Sequence, residues 1–284
     1  MIHYSVAPAR AQAAIAGSPF HQYVFDDGSI WTEFYRVGTN YLLRFPDLAD
    51  FVVSADGEIV TAYPADDTDD ATVEHLYINQ LVPLALSRQG KPAFHASVVT
   101  VSGGAVAFLG KTGMGKSTLA ASFALDDARF LTDDALIIEE RGSTSIALPS
   151  SASLRLWDDS VAALVGDDGE LAGAVNYSSK ARLLAGDALA YSTEPTELIA
   201  AYVLDRNEPG TVSINALSGS SRHMAWVENS FLLDIQDKDL LARHFDWTHR
   251  ISSRVPTFSL DYRRDYGILP EVRQAIREHA GSLL

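Results

Sequence analysis

The residues best suited to chemistry form a glycine-rich run that fits the pattern G-x-x-x-x-G-K-[ST]. In chain order they are Gly110, Lys111, Thr112, Gly113, Met114, Gly115, Lys116 and Ser117. The glycines allow backbone conformations with positive φ, which bring several N–H groups close to one anion. In such a loop the lysine reaches the β- and γ-phosphates of a nucleoside triphosphate, and the serine hydroxyl is a ligand for Mg²⁺. The run therefore predicts a site for a nucleoside triphosphate and Mg²⁺, with Thr118 as a further contact.

The segments on either side of this run have the composition that a phosphate-binding loop requires. Ala105–Leu109 is a short apolar run typical of a buried strand. Thr118–Leu125 is rich in helix formers and is followed by two aspartates. A helix that begins here would direct the positive end of its dipole at bound phosphates. The order strand, loop, helix favours this interpretation over the alternative, a glycine-rich turn that fits the pattern by chance.

Two adjacent acids follow the next apolar run, Arg129–Thr132, and are the main candidates for catalysis. An apolar strand that ends in aspartate is where nucleoside-triphosphatase folds hold Mg²⁺. Because neighbouring strand residues face opposite ways, we expect Asp133 and Asp134 to do different work. We assign the metal to Asp133, and the other carboxylate would accept a proton from an attacking hydroxyl. The alternative is an acidic turn without a catalytic role.

Other polar residues stand beside these segments in the sequence. His95 lies in Ala93–Val101, a β-rich run that a Gly-Gly turn returns to the strand before the phosphate loop. Taken alone, a histidine there is either a core residue or a member of the site. Asp167–Lys180 is a polar loop, and loops of that length are often lids. We expect it to close over the phosphates and to dock a peptide, with Lys180 and Arg182 as contacts; the alternative is that both are solvated.

Composition restricts the class of protein. The net charge is −15 and no Lys/Arg cluster interrupts the acidity, so the sequence lacks the basic footprint of a nucleic-acid-binding protein. No apolar run approaches the ~20 residues that span a bilayer, and the first residues lack the features of a secretory signal. The absence of cysteine excludes disulfides and thiolate metal sites. We therefore expect a cytoplasmic protein that binds neither nucleic acid nor membranes.

Hydrophobic periodicity divides the chain into two predicted domains. Residues 1–92 are predicted to form a β-rich domain of hairpins, with an aromatic core and a helix over Ala71–Ser87 that Pro83 kinks or shortens. Residues 93–284 are predicted to form an α/β nucleotide-binding domain. The later elements of this domain are predicted as strands over Leu198–Leu204, Val212–Ala216 and Phe258–Tyr262, and as helices over Ser160–Val165, Ser221–Ile235, Leu240–Ile251 and Leu269–His279.

His95, the phosphate loop and Asp133-Asp134 together resemble, in order and spacing, the catalytic domain of HPr kinase/phosphorylase over residues 93–204. That family carries a histidine on the strand before the loop, a G-K-[ST] loop and an Asp-Asp pair on the next strand. Phe94–Val99 and Leu154–Ser160 are similar to a divergent branch of this family. Members of that branch act in lasso-peptide biosynthesis and phosphorylate a serine of the precursor peptide.

The resemblance implies an α/β fold with a P-loop kinase core, whose mixed central sheet has flanking helices, behind the β-rich N-terminal domain. It also implies a kinase that transfers the γ-phosphoryl group of ATP to a serine of a peptide or small protein, with Mg²⁺ as the metal. Lys116 would contact the phosphates and Ser117 the Mg²⁺, and Asp133 or Asp134 would be the base. His95 would donate to a phosphate oxygen or steady the acid pair.

One departure from the family concerns the segment after the acid pair. The parent family has a metal-binding glutamate two residues before an arginine. If Arg155 is that arginine, Ser153 stands in place of the glutamate, and Arg155 is a candidate contact for phosphate or acceptor.

Two other functions could use the same residues. One is a nucleotide-binding regulatory ATPase that signals by conformation, and the other is a kinase for a small-molecule alcohol. The adjacent acids favour the peptide kinase over the regulator, because a switch needs one metal-binding aspartate and a water-orienting group. The expected partner is a serine-containing peptide or small protein, and a homo-oligomer is kept open.

Overall fold

The computed structural model describes residues 2–25, 27–150, 152–164, 171–172, 181–185, 189–205 and 211–284. The described residues divide into two compact units. The first comprises the chain up to Lys91 together with Leu232–His244, and the second comprises the other described residues. The sequence prediction assigns Leu232–His244 to the second domain, because the segment follows the catalytic motifs in the chain. No described helix is both long and apolar enough to cross a membrane.

The first unit contains a six-stranded sheet. Its strands are β1 (His3–Val6), β2 (His21–Val24), β3 (Ile30–Val37), β4 (Asn40–Phe45), β5 (Ala49–Val53) and β6 (Ile59–Pro64). They lie in the order β1-β6-β5-β4-β3-β2, and all neighbours are antiparallel except β1 and β6. The predicted hairpins and aromatic core are confirmed, with Phe34 and Phe45 1% and 0% exposed. Strand β1 has no periodic signal in the sequence because most of its residues are exposed.

The helical segment of the first unit is continuous but changes its winding. Helix α1 (Asp70–Leu76) begins at Asp69, whose carboxylate accepts the N–H of Thr72 at 2.7 Å. A π-helical turn over Tyr77–Leu81 follows and leads into α2 (Val82–Arg88). The single helix predicted over Ala71–Ser87 is therefore divided. Pro83 lies in the first turn of α2, where its lack of an N–H costs least.

The second unit is built on a mixed sheet. The strands of this unit are β7 (Ala93–Phe94), β8 (Ala96–Val101), β9 (Gly104–Leu109), β10 (Arg129–Thr132), β11 (Leu136–Arg141), β12 (Thr144–Leu148), β13 (Ser153–Leu156), β14 (Leu171–Ala172), β15 (Ala181–Leu184), β16 (Thr196–Leu204), β17 (Ser213–Ala216) and β18 (Thr257–Asp261). Strands β13, β15 and β14 form a small separate sheet, and the others form a nine-stranded one. Strand β16 runs parallel to β9 and β18, and the other described pairs are antiparallel. Strand β9, which leads into the phosphate loop, thus lies between β8 and β16.

Helices pack against both faces of this sheet. They are α3 (Lys116–Ala124), α4 (Asp158–Leu164), α5 (Gly219–Glu228), α6 (Lys238–Arg254), which belongs to this unit from Phe245 onward, and α7 (Leu269–Gly281). On one face Val106 and Phe108 of β9 share a core with residues of α3 and α7. On the other face Ala105, Ala107 and Leu109 share a core with Trp226 of α5 and with residues of α6. The predicted α/β fold, a mixed sheet with flanking helices, is confirmed at this level.

The helix predicted over Ser221–Ile235 is wrong in its second half. Helix α5 ends at Glu228, and the backbone beyond it pairs with β7. The N–H of Phe231 donates to the carbonyl of Ala93 at 2.9 Å, and Ser230 forms a β-bridge with Phe94. The edge of β7 therefore provides hydrogen-bond partners for the backbone after α5, which a longer helix would have provided within itself.

Candidate functional site

The phosphate loop joins the end of β9 to the start of α3 in the second unit. Gly113 and Gly115 have φ angles of 81° and 86°, in the left-handed region that glycine adopts without strain. Gly110 has a φ of 143°, and a Cβ added there would lie 3.0 Å from the carbonyl oxygen of Leu204. Gly115 caps α3 without a side-chain hydrogen bond, so the first N–H groups of the helix keep their capacity to bind an anion.

Lys116 lies within this loop rather than in solvent. Its side chain is 6% exposed, and its ammonium donates to the carbonyls of Gly110 and Lys111 at 2.6 and 3.2 Å. Lys111 and Thr112 are exposed at the tip of the loop, and Met114 packs against the core. The hydroxyl of Thr118, in the first turn of α3, contacts the hydroxyl of Ser160 at 3.1 Å. The loop therefore presents one buried cation beside its backbone N–H groups.

Asp133 is buried, with 3% of its surface exposed, and three donors surround its carboxylate. The hydroxyls of Ser97 and Ser117 donate to Oδ1 at 2.5 and 2.9 Å, and the backbone N–H of Arg155 donates to Oδ2 at 3.0 Å. The structure thus brings Ser117 and Asp133 together, as the sequence predicts for a metal site. Hydroxyl and carboxylate oxygens are the hard ligands that Mg²⁺ takes, usually one or two of them together with substrate phosphates. This donor set fits Mg²⁺, although the described residues hold no group of three His, Asp or Glu that could bind a metal by itself.

Asp134 does not lie on a strand, and this corrects the reason given for the different roles of the two acids. The pair forms the turn between β10 and β11, and Asp134 has a φ of 65°. The two carboxylates have different neighbours because the backbone turns at this point, rather than because side chains alternate along a strand. Oδ2 of Asp134 lies 3.7 Å from the guanidinium of Arg155, and the backbone carbonyl of Asp134 accepts from Nδ1 of His95 at 3.0 Å. Arg155 therefore contacts both acids, Asp133 through its backbone and Asp134 through its side chain.

Asn229 is a member of the site that the sequence does not reveal. It caps the end of α5 and is 9% exposed. Its Oδ1 accepts the N–H of Gly110 at 3.0 Å, and its Nδ2 donates to the carbonyl of Ala225 at 2.8 Å. Its own backbone carbonyl accepts the N–H of His95 at 2.6 Å. Asn229 therefore holds the first glycine of the loop and the backbone of His95 at the same helix end. Because the sequence predicts a helix that continues to Ile235, no local signal identifies this role.

Ser97 is a second residue that sequence reasoning misses. It is fully buried in β8, two positions after His95, and its hydroxyl donates to Asp133. Alternation along the predicted β-run would put positions 95 and 97 on one side, although in the structure His95 forms a bend between β7 and β8. That spacing is the signal that could have identified it.

Tyr262 and Arg264 form a third unpredicted group beside the loop. The hydroxyl of Tyr262 lies 3.8 Å from the place where a Cβ on Gly115 would stand. The guanidinium carbon of Arg264 lies 4.1 Å from the ring centre of Tyr262, and Arg264 donates to the carbonyl of Asp205 at 2.6 Å. Burial raises the pKa of Tyr262, and the neighbouring Arg264 opposes that shift. The group puts a cation near the start of α3.

The basic residues predicted to contact phosphates or a peptide are described only in part. Lys180 lies outside the described residues, as does most of the predicted lid Asp167–Lys180. Arg182 is described at its backbone, which pairs with Arg155 between β15 and β13. The lid and both contacts remain predictions.

Comparisons with known proteins give likenesses among solved structures only. No protein-family model matches the chain, and neither does any curated protein. Among solved structures, the chain is similar to the structure of the Hpr(Ser) kinase/phosphatase from Coxiella burnetii. The sequence identity is 14% and the TM-score 0.28, over 57% of this chain and 97% of that chain. With so low an identity and TM-score, the likeness does not indicate an activity for this chain.

Proposed function

We propose that the protein is a kinase that transfers the γ-phosphoryl group of ATP to a serine hydroxyl. The observation that carries the proposal is the contact of 2.9 Å between the Ser117 hydroxyl and the Asp133 carboxylate, at the foot of a loop that also encloses the Lys116 ammonium. Catalysis of phosphoryl transfer consists mainly of positioning and charge neutralisation, and these residues supply both. The function rests on that arrangement and on the second acid beside it.

Three residues act on the nucleotide and its metal in this proposal, and two others orient one of the three. Lys116 exchanges its two loop carbonyls for β- and γ-phosphate oxygens, and the N–H groups at the start of α3 hold the same phosphates. Ser117 and Asp133 would hold Mg²⁺, which supplies positive charge to the phosphate oxygens when it is bound. Ser97 and the Arg155 N–H fix the direction of the Asp133 carboxylate.

Asp134 is the residue to which we assign the proton of the acceptor. The serine oxygen bonds to the γ-phosphorus, the bond from that phosphorus to the bridging oxygen of ADP breaks, and the hydroxyl proton passes to the Asp134 carboxylate. Arg155 orients this carboxylate through their contact of 3.7 Å. His95 holds the turn in place through the Asp134 carbonyl.

The acceptor class is the finer part of the proposal. We propose a serine in a peptide or small protein, and more narrowly a lasso-peptide precursor, on the similarity of Phe94–Val99 and Leu154–Ser160 to that branch of kinases. The proposed setting is the cytoplasm, without nucleic acid or membrane. Regulation by nucleotide binding alone, or phosphorylation of a small alcohol, is an outcome that the following experiment would reveal.

The experiment is a transfer assay with ATP labelled at the γ-phosphate, Mg²⁺ and an array of serine peptides. Each peptide is paired with a copy in which alanine replaces serine. We expect label on serine peptides with the parent protein and with Asp67→Asn, an exposed aspartate in the first unit that serves as control. We expect no label with Asp134→Asn, although this variant should still bind Mg·ATP.

The products distinguish the three functions. Label on serine that depends on Asp134 supports the kinase. Label found only in free phosphate would instead support a regulatory ATPase. ADP formed only after a small-molecule alcohol is added, with no labelled peptide, would overturn the peptide acceptor but not the phosphate-loop chemistry.

A further inference from the structure

The second unit also contains a pocket that lies away from the phosphate loop. It is a half-open depression with a volume of about 230 Å³, bordered by the first turn of α5 and the second half of α6. The lining residues are Gly219, Ser220, Arg222, His223, His249, Ser252 and Ser253. The lining residue of α5 nearest to Asn229 in the chain is His223, which is six positions and about 9 Å of helix away. The pocket is therefore a separate feature from the site around Gly110.

The side chains that line the pocket include three bases and no acid. In a chain whose net charge is −15, a concave surface without a carboxylate is a local departure from the overall charge. Arg250 and Arg254, also on α6, are paired with Glu140 at 3.2 and 2.6 Å. Arg222, in contrast, forms no ion pair within the described residues. No described carboxylate therefore neutralises its positive charge.

Arg222 also carries a polar atom that lacks a partner. Its Nε is buried, with under 1 Å² accessible, and its N–H donates to no described acceptor. A buried donor without an acceptor costs ~1–3 kcal/mol. Because this Nε is inaccessible, an oxyanion in the pocket would meet the terminal nitrogens of the guanidinium, where it would neutralise the charge through charge-assisted hydrogen bonds.

The two histidines and the helix end favour the same class of ligand. The ring of His223 lies 5.4 Å from the ring of His249, and its Nε2 contacts the Thr248 hydroxyl at 3.0 Å. Ser218, the residue before α5, makes no side-chain cap, so the first N–H groups of α5 add positive potential at the pocket. The hydroxyls of Ser252 and Ser253 both donate to the His249 carbonyl, which leaves Arg222 and the imidazoles as the main donors.

We propose that this pocket binds a phosphate group, either as free phosphate or as a small phosphate monoester. Arg222 forms the charge-assisted contact, and His223 and His249 donate at the sides. The volume of 230 Å³ exceeds what a phosphate ion fills and leaves room for a small organic substituent. The proposal is independent of the activity proposed for the phosphate loop.

The test follows the imidazole signals of His223 and His249 by NMR in the full chain. Each signal is first assigned by a single His→Gln variant. Inorganic phosphate and O-phosphoserine are titrated separately, at constant pH and ionic strength, into the parent, Arg222→Gln, Lys116→Ala and Arg243→Gln. Lys116→Ala removes the main cation of the phosphate loop, and Arg243→Gln alters an exposed arginine of α6 outside the pocket lining. Thermal melting shows whether each variant is folded.

We expect saturable shifts of both signals in the parent, in Lys116→Ala and in Arg243→Gln. In Arg222→Gln the affinity should fall by about tenfold or more, as the loss of one charge-assisted hydrogen bond implies. Tighter binding of O-phosphoserine than of phosphate would identify a monoester as the ligand, and the reverse would identify the free ion. Shifts that are unchanged in folded Arg222→Gln, that vanish in Lys116→Ala, or that never saturate would overturn the proposal. If Arg222→Gln does not fold, Arg222→Lys takes its place, with weaker binding expected because the forked guanidinium is lost.

Discussion

Replacement of Asn229 by alanine tests the least expected part of the site. The side chain joins the N–H of Gly110 to the end of α5, over 119 positions of the sequence, by hydrogen bonds at both of its ends. Asn229→Ala leaves the backbone bond to His95 in place but removes the acceptor of a buried N–H. We therefore expect the start of the phosphate loop to loosen while the fold persists.

The size of the effect follows from the hydrogen bond that is lost. A buried N–H left without a partner costs ~1–3 kcal/mol, so the free energy of unfolding should fall by about that amount. If ~1.4 kcal/mol of that cost appears in nucleotide binding, the Kd for Mg·ATP rises about tenfold. Asn229→Asp keeps an acceptor for Gly110 but places a negative charge beside the loop and loses the donor to Ala225. We expect it to bind Mg·ATP more weakly than Asn229→Ala does.

The assay combines urea unfolding with calorimetric titration of ATP at saturating Mg²⁺. Asn215→Ala is the matched control, because Asn215 is exposed on β17 and bonds to Ser213 beside it. The control should match the parent in both measurements. If Asn229→Ala also matches the parent in both, Asn229 does not anchor the loop and the reasoning is refuted.

Four further outcomes follow from the same structure. Lys116→Ala should remain folded, with a lower melting temperature because two bonds to loop carbonyls are lost, and should lose phosphoryl transfer; transfer near the parent rate would contradict the phosphate-loop assignment. Asp134→Asn should bind Mg·ATP without transfer whereas Asp133→Asn should lose Mg²⁺-dependent binding, and calorimetry that finds the losses exchanged would exchange the two roles. Gly110→Ala should lower the free energy of unfolding by ~1–3 kcal/mol in urea titrations, because its Cβ would meet a carbonyl oxygen of β16 at 3.0 Å in a backbone conformation that alanine avoids. Burial lowers the pKa of His279 in the folded chain, so the imidazole of the unfolded chain is protonated at higher pH than that of the folded chain. The free energy of unfolding should therefore fall as the pH drops through ~6.5. Unfolding midpoints measured at pH 7.5 and 5.5 should differ less in His279→Gln than in the parent.

The local parts of the site could be predicted from sequence because they depend on neighbouring residues. The order of strand, glycine loop and helix follows from periodicity over Ala105–Leu125, and the structure has that order. The contact between Ser117 and Asp133 follows once β10 is recognised as the strand after α3. The aspartate pair itself could be found, but the positive φ of Asp134 depends on where β10 ends and β11 begins.

The distant parts could not be predicted because they depend on the order of strands in the sheet. Nothing near Asn229 in the chain indicates that Gly110 is its partner, since the contact exists only after α5 packs on the face that carries Leu109. The end of α5 was equally hidden. The residues after it are apolar enough to continue a helix, and the competing hydrogen bonds come from β7, about 135 positions earlier.

The burial of β9 allows hydrogen exchange in this strand to report how tightly the folded chain binds a nucleotide. All of its residues are buried, and its backbone is bonded to strands on both edges. Amide hydrogens in such a strand exchange with deuterium only when the whole unit unfolds. A nucleotide that binds the folded chain slows that exchange by a factor of 1 + [ATP]/Kd. Mass spectrometry of the peptide that contains β9 would therefore yield the Kd from unlabelled protein, whereas amides in the loop itself would report only local contact.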